Sequence, residues 1–407
     1  MEVLHRKCAG LDVHKDSVVA CARTMTGHKV TREVETFGTT TRELLRLVDW
    51  LEKHEITITV MEATGVYWRP VWHILEGHGE LVLANAHEVR NVPGRKTDVN
   101  DAMWLADLVA CGLVRSSFVP PEPIQDLRDL TRTRKQLTRE IVSHTQRIQK
   151  VLETCNIKLS SVASDVLGVS GRAILRAIIK GESDPVKLAE LAKGTLRTKR
   201  GRLVEALLGK VRDHHRFLLE QHLGLIETIE RAVAKIEAEV DTALAPFHDA
   251  VERLQTIPGV GLTAARTIIA EIGLDMSRFP TAGHLRSWAG LCPRMDESAG
   301  KRRNTRIRKG AQWLKPVLIP CAWSAVRSAG YLKSQFLRLK SRRGPKKAIV
   351  AVAASILGAA YAILKDGQVY RDLGADHFTR NDRMRTVTKL TNRLRQLGYE
   401  VELRAAA

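Results

Sequence analysis

The sequence predicts an α/β domain, a helical hairpin and a compact, mostly helical domain, in that order along 407 residues. Three observations predict it. Over residues 1–115, short runs rich in β-branched residues alternate with amphipathic stretches. Two later stretches repeat apolar residues on a 3-4 heptad spacing. From Val251 to about Gly374, helical periodicity dominates. A hydrophobic fraction of 44% places the chain among globular rather than disordered proteins, and its length allows two or three domains with their own cores.

Residues 7–25 read as two strands, and Lys29–Phe37 alternates as a third. Thr40–His54 follows with Leu44, Leu47, Val48 and Leu51 at helical spacing. Ile56–Met61 is a fourth strand, Tyr67–Glu76 a helix and Glu80–Ala84 a short strand. Thr97–Leu113 reads as a helix opened by a Thr/Asp cap. The order β-β-β-α-β-α-β-α is that of a ribonuclease-H-like domain, with three meandering strands and then strands alternating with helices on a mixed sheet.

Ser116–Pro123 (SSFVPPEP) breaks the pattern and reads as a linker. After it, Leu127, Leu130, Arg134, Leu137, Ile141, His144, Ile148 and Val151 form one seam, and Leu219, His222, Ile226, Ile229, Val233, Ile236 and Val240 form another. The two series read as arms of an antiparallel coiled-coil hairpin over residues 122–246 with an elaborated tip, or as two helices of an ordinary bundle. Residues 157–216, within that tip, carry no motif. A helical domain over 251–375 follows, and the polar stretch 376–407 reads as a loosely held tail.

Lys and Arg number 65 against 45 Asp and Glu, a net charge of +20. Such an excess calls for an anionic partner, and nucleic acid is the default polyanion. Six cysteines lie far apart with no C-x-x-C pair, which argues against a zinc ribbon or a disulfide framework and fits a reducing cytoplasm. The N-terminus lacks the apolar core and small-residue cleavage site of a signal peptide. Ala348–Leu364 is the one long apolar run; somewhat short for a bilayer and rich in alanine, it reads as a buried core helix, so no membrane partner is expected.

Asp12 lies inside the apolar run Ala9-Gly10-Leu11-Asp12-Val13, where a carboxylate in a central strand is costly unless paired or bound to metal. Glu62 ends the fourth strand. Asp98 and Asp101, three apart at a helix start, share one face. Carboxylates from a first strand, a middle-strand end and a helix start can converge on one sheet edge and take a hard divalent cation such as Mg²⁺. Two ions about 4 Å apart would suit phosphodiester cleavage. Asp98 and Asp101 also suit plain helix capping.

Farther on, Ile257-Pro258-Gly259-Val260-Gly261 before Leu262–Ile269 has the form of a helix-hairpin-helix, with Gly259 and Gly261 in a turn suited to phosphate. Arg294 and Ser298 precede the basic run Lys301, Arg302, Arg303, Arg306, Arg308 and Lys309. A serine among such charges could attack a phosphodiester, although a serine in a polar loop is usually only a loop residue. A second basic run includes Arg342, Arg343, Lys346 and Lys347 and reads as a phosphate-tracking surface.

Four stretches together resemble the insertion-sequence-110 transposase family: Gly10-Leu11-Asp12-Val13-His14-Lys15, Met61-Glu62-Ala63-Thr64-Gly65-Val66-Tyr67, Lys96-Thr97-Asp98 through Asp101-Ala102, and Ile257-Pro258-Gly259-Val260-Gly261 with Ala289-Gly290-Leu291 and Pro293-Arg294. The resemblance implies a RuvC-type DEDD nuclease domain joined by a coiled coil to a transposase domain with a catalytic serine. It implies that Asp12, Glu62, Asp98 and Asp101 hold Mg²⁺, two ions with Mn²⁺ able to substitute, and that Ser298 links covalently to DNA. It further implies donor and target DNA as substrates, a noncoding bridge RNA that selects them, a dimer or tetramer, and a nucleoid-associated place in the cytoplasm. Two rival readings stay open on the residues alone: a junction-resolving nuclease that uses the acids and water, and a nucleic-acid-binding scaffold without catalysis.

Overall fold

A computed structural model describes residues 3–84, 98–293, 296–298, 300–304, 306–380 and 383–403. The chain divides into two compact units, residues 1–119 and 120–407.

The first unit is built on β1 (Lys7–Val13), β2 (Ser17–Thr26), β3 (Lys29–Gly38), β4 (Ile58–Glu62) and β5 (Glu80–Ala84), with α1 (Thr41–Lys53), α2 (Trp68–Leu75) and α3 (Asp98–Ala110). The sheet runs β3-β2-β1-β4-β5. The first three strands are an antiparallel meander, whereas β4 pairs parallel with both β1 and β5. The element order is the one read from the sequence.

β1 lies in the middle of the sheet, so both of its faces are covered and its sequence is apolar without alternation. Ala9, Leu11 and Val13 pack with Met61, Leu83 and the apolar stripes of α1 and α2. Cys8 faces the other way with Ile58, Val60, Val82 and Ala84, against Leu105 and Val109 of α3. α3 runs antiparallel to β1: the Leu4 amide donates to the Ala110 carbonyl at 2.8 Å, and Cys8 Sγ lies 3.4 Å from the Ala106 carbonyl oxygen. A Cβ at Gly10 would lie 2.2 Å from the Ala102 carbonyl oxygen. Asp107 clamps α3 to the sheet edge, accepting from Arg23 Nε at 2.9 Å and from Arg32 Nη2 at 2.9 Å.

The second unit opens with α4 (Glu122–Thr154), passes through α5 (Leu159–Val162), α6 (Val169–Ile179), α7 (Pro185–Glu190), a 3₁₀ turn (Gly194–Lys199) and α8 (Arg200–Leu207), and returns along α9 (Asp213–Leu244). α4 and α9 are antiparallel partners: Arg134 Nε donates to Glu237 Oε1 at 2.7 Å, and His144 Nδ1 meets His222 Nδ1 at 3.2 Å. Both histidines sit on the seams expected from the heptad spacing. The segment without a motif is a folded helical cap with its own core, in which Leu159, Ile174, Leu175, Ile178, Leu188 and Leu203 pack on Ile148, Leu152, Leu219 and Leu223.

The remainder comprises α10 (His248–Gln255), α11 (Leu262–Ile272), α12 (Ala282–Trp288), a hairpin of β6 (Asp296–Ser298) and β7 (Lys301–Asn304), α13 (Lys315–Ala325), α14 (Tyr331–Arg343), α15 (Pro345–Asp366), α16 (His377–Arg380) and α17 (Arg383–Gln396). α15 is long and apolar enough to cross a membrane by length and composition, yet 56% of its apolar window is buried, with Ala348, Val352, Ile356 and Ala360 in the interior. Glu271, 2% exposed, accepts from Arg132 at 2.8 Å on both oxygens, and Arg128 donates to the Ala270 and Glu271 carbonyls, tying α4 to the end of α11. The tail departs from expectation. Phe378 stacks on Tyr331 with Arg338 over its ring, Ser334 donates to the Ala375 carbonyl, and α17 follows, so aromatic packing holds the first part of a stretch whose polar composition suggested none.

Candidate active site and nucleic-acid interface

Parallel pairing of β1 with β4 aligns Leu11 with Met61, so Asp12 and Glu62 follow side by side at the carboxyl ends of neighbouring strands. Side chains alternate along a strand, which puts Asp12 on the face of Cys8 and Gly10, and Glu62 on the face of Ile58 and Val60. This is the face that α3 covers. α3 passes Ala110 near Leu4, Ala106 near Cys8 and Ala102 against Gly10. The same progression carries its first turn, with Asp98 and Asp101, toward Asp12. Backbone topology therefore brings the four predicted acid positions to one end of one sheet face.

Asp12 is half-buried, its side chain 13% exposed, and its Oδ2 lies 3.1 Å from His14 Nε2. His14 was missed as a site residue; its signal was its place two residues after Asp12 at the strand end. Glu62 and Asp101 are also partly buried. Among the described residues no three His, Cys, Asp or Glu side chains are grouped to hold a metal ion. The side chain of Asp98 is outside that description. By donor chemistry, carboxylates on a strand pair and a helix start suit a hard, oxygen-preferring dication. The neighbouring thiols do not compete for it: burial pushes both Cys8 and Cys21 up to about 11, leaving them protonated at neutral pH.

In the second unit, Ser298 does not lie in an irregular loop. It is the last residue of β6 and pairs with Lys301 of β7, and Gly300 between them has φ +72°, a left-handed conformation suited to a two-residue hairpin turn. The loop expectation failed because a three-residue strand is too short to show a period. Lys301 is exposed, Arg302 and Arg303 are strand positions of β7, and Arg306, Arg308 and Lys309 are exposed beyond it. Arg294 lies outside the described residues.

α10 and α11 are joined by the expected tight turn. Gly259, at φ +82°, packs so close to α13 that a Cβ would lie 2.2 Å from the Cys321 carbonyl oxygen. That contact accounts for Gly259 by packing; Gly261 opens onto free space at the N-terminus of α11. Arg342 and Arg343 end α14, Lys346 and Lys347 begin α15, and all four are exposed around Gly344.

Two family models match the chain. One, described as a transposase and labelled DEDD transposase IS110, covers residues 9–157; the other, described as transposase IS116/IS110/IS902 family, covers 251–337. The transposase for insertion sequence element IS1111A of Coxiella burnetii is 25% identical over 377 residues, 90% of this chain and 91% of that protein. An uncharacterised insertion element IS110 protein of Streptomyces coelicolor is 24% identical over 300 residues, 68% and 73% of the two chains. The transposase for insertion sequence element IS1328 of Yersinia enterocolitica is 27% identical over 282 residues, 68% and 73% of the two. The first model spans all four acids and the second spans Ser298 with its basic run, in the order expected, so the chain belongs to the IS110 family of insertion-sequence transposases and is an enzyme acting on DNA.

Proposed function

We propose that the protein cleaves and rejoins DNA strands between a donor and a target, using a RuvC-type acidic site for divalent metal and Ser298 as the nucleophile. The observation that carries the reading is the placement of Asp12 and Glu62 on adjacent parallel strand ends, on the face covered by the helix that Asp98 opens. Asp12, Glu62, Asp98 and Asp101 would hold Mg²⁺, two ions in a full site, or Mn²⁺ in its place. When bound, such ions stabilise the attacking and leaving oxygens of an in-line displacement. His14, whose Nε2 lies 3.1 Å from Asp12 Oδ2, would steady that carboxylate.

Rejoining without external energy requires that the phosphodiester be conserved in an intermediate. The Ser298 oxygen forms a bond to phosphorus as the bond to the leaving deoxyribose oxygen breaks; the hydroxyl proton is lost and the leaving oxygen gains one. A hydroxyl from the partner strand then displaces the serine, restoring the diester. Lys301, Arg302, Arg303, Arg306, Arg308 and Lys309 would counter the charge of the phosphorane, and Gly261, Arg342, Arg343, Lys346 and Lys347 would contact DNA phosphates. Selection of sites falls to a noncoding bridge RNA, a role that the charge of +20 suits because a guide duplex is held by its backbone. Two cut duplexes call for at least a dimer.

The test is cleavage of labelled element-end DNA by purified protein with its guide RNA. Chelation of divalent metal, Asp12→Asn or Glu62→Gln should each lower the rate by roughly a hundredfold or more, with unchanged thermal melting. Wild-type rates from either variant would refute the metal-site reading.

A further inference from the structure

The helical cap at residues 158–212 lies outside both family matches and takes no part in the proposed chemistry. It carries twelve Lys and Arg against five Asp and Glu. The excess is concentrated. Lys193-Gly194-Thr195-Leu196-Arg197-Thr198-Lys199-Arg200-Gly201-Arg202 holds five cations and no acid, and Lys193, Arg197, Lys199, Arg200 and Arg202 are all exposed. Elsewhere in the cap several cations are paired: Arg172 with Glu230 at 2.5 Å, Arg176 with Glu227 at 2.6 Å and Lys187 with Glu182 at 4.0 Å, whereas Lys180, Lys210 and Arg212 stand singly on the surface. Among the described residues none of the five has a carboxylate within 4.0 Å.

The strip is held in a fixed place. The Lys193 amide donates to Ser170 Oγ at 2.8 Å, and that hydroxyl lies 3.4 Å from the Lys193 carbonyl, fastening the 3₁₀ turn to the first turn of α6. A cleft results, lined by Asp165, Gly168, Ser170, Lys193, Thr195 and Lys199. The Asp165 carboxylate in it is engaged locally, accepting from the Leu167 amide at 2.9 Å. Leu167-Gly168-Val169-Ser170-Gly171 opens α6 much as Pro258-Gly259-Val260-Gly261 opens α11, and each of these helices is 11 residues long. Gly171, buried in the first turn of α6, packs so close to the preceding loop that a Cβ would lie 2.1 Å from the Val166 carbonyl oxygen, and Val169 is left 71% exposed.

We propose that this cap is a second DNA-contacting module, in which the Lys193–Arg202 strip tracks the phosphate backbone of duplex DNA. The proposal rests on the chain's action on DNA and is independent of the metal and serine chemistry. Unpaired, preordered cations in file match a file of phosphates, each neutralised phosphate releasing condensed counterions. A purely solvated surface would disperse such charges or pair them with acids, as with Arg172, Arg176 and Lys187.

The test uses full-length protein without divalent metal and a fluorescent random-sequence DNA duplex, with binding followed by anisotropy across a salt series. The quadruple variant Lys193→Gln, Arg197→Gln, Lys199→Gln and Arg200→Gln should bind roughly tenfold or more weakly at low salt, with a log-log salt slope shallower by about 3. Val169→Glu, a single change at an exposed position that leaves the cap core untouched, should weaken binding in the same direction. Unchanged affinity and slope in both variants would overturn the proposal. So would a loss confined to an RNA duplex of the same length, because the strip would then serve the guide and not the substrate.

Discussion

A methyl group at Gly10 would sit 2.2 Å from the Ala102 carbonyl oxygen and 2.6 Å from the Ala106 amide nitrogen, both backbone atoms that cannot move alone. The contact sets how near α3 lies to β1, and hence where its first turn reaches relative to Asp12. Gly10→Ala should therefore cost roughly 3 kcal/mol of stability by overpacking and reduce cleavage beyond the loss of folded protein. Chemical denaturation and activity per folded molecule check this together; a fully active, equally stable variant would contradict the tight α3 placement. At this scale the sequence was legible where a residue offended its surroundings. Asp12 stood out as a charge within an apolar strand, and Glu62 as an acid at a strand end. Arg23 with Asp107, and Glu271 with Arg128 and Arg132, were not legible, because each partner looks like an ordinary charged residue until the fold brings them together across long separations. His14 was passed over for a different reason: it lies only two residues from Asp12, but its contact with that carboxylate shows only in the folded strand end.

Among elements, the strands and helices of the first unit and the long pair α4 and α9 were legible because they carry strong periods over enough residues. The hairpin of β6 and β7 was not, since three and four residues carry no period and Gly300 alone marks its turn. The pairing of α4 with α9 brings a titratable contact into its seam. Burial first, and then the nearby His144 and Arg147, lower the pKa of His222. A histidine depressed in the native state contributes stability above its unfolded pKa of about 6.5 that is lost as pH falls through the folded value. Thermal stability of the protein should accordingly decline as pH drops below about 6.5, and His222→Gln should flatten that decline. An identical pH profile for the variant would remove this contact from the account.

For the whole molecule, charge was the most readable property and geometry the least. The excess of cations pointed to a polyanion, but which cations face it depends on the pairing of the others, as the cap illustrates. The proposed chemistry draws acids from the first family match and a serine from the second, and the proposed exchange between two duplexes would call for more than one protomer. Mixing Asp98→Ala protein with Ser298→Ala protein should restore part of the cleavage that each lacks, since a mixed oligomer then includes sites with all acids and the serine intact. Co-assembled mixtures as inactive as either parent would rule out sites shared between protomers.

The central claim is that Ser298 takes the DNA strand covalently while the acids of the first unit support the displacement. Reactions stopped in denaturant and run on a denaturing gel with end-labelled DNA measure it directly. The account predicts a protein-DNA adduct for the wild type, absent in Ser298→Ala and at least roughly a hundredfold reduced in Asp12→Asn. An adduct that persists in Ser298→Ala, or cleavage by the wild type that never yields one, would contradict it.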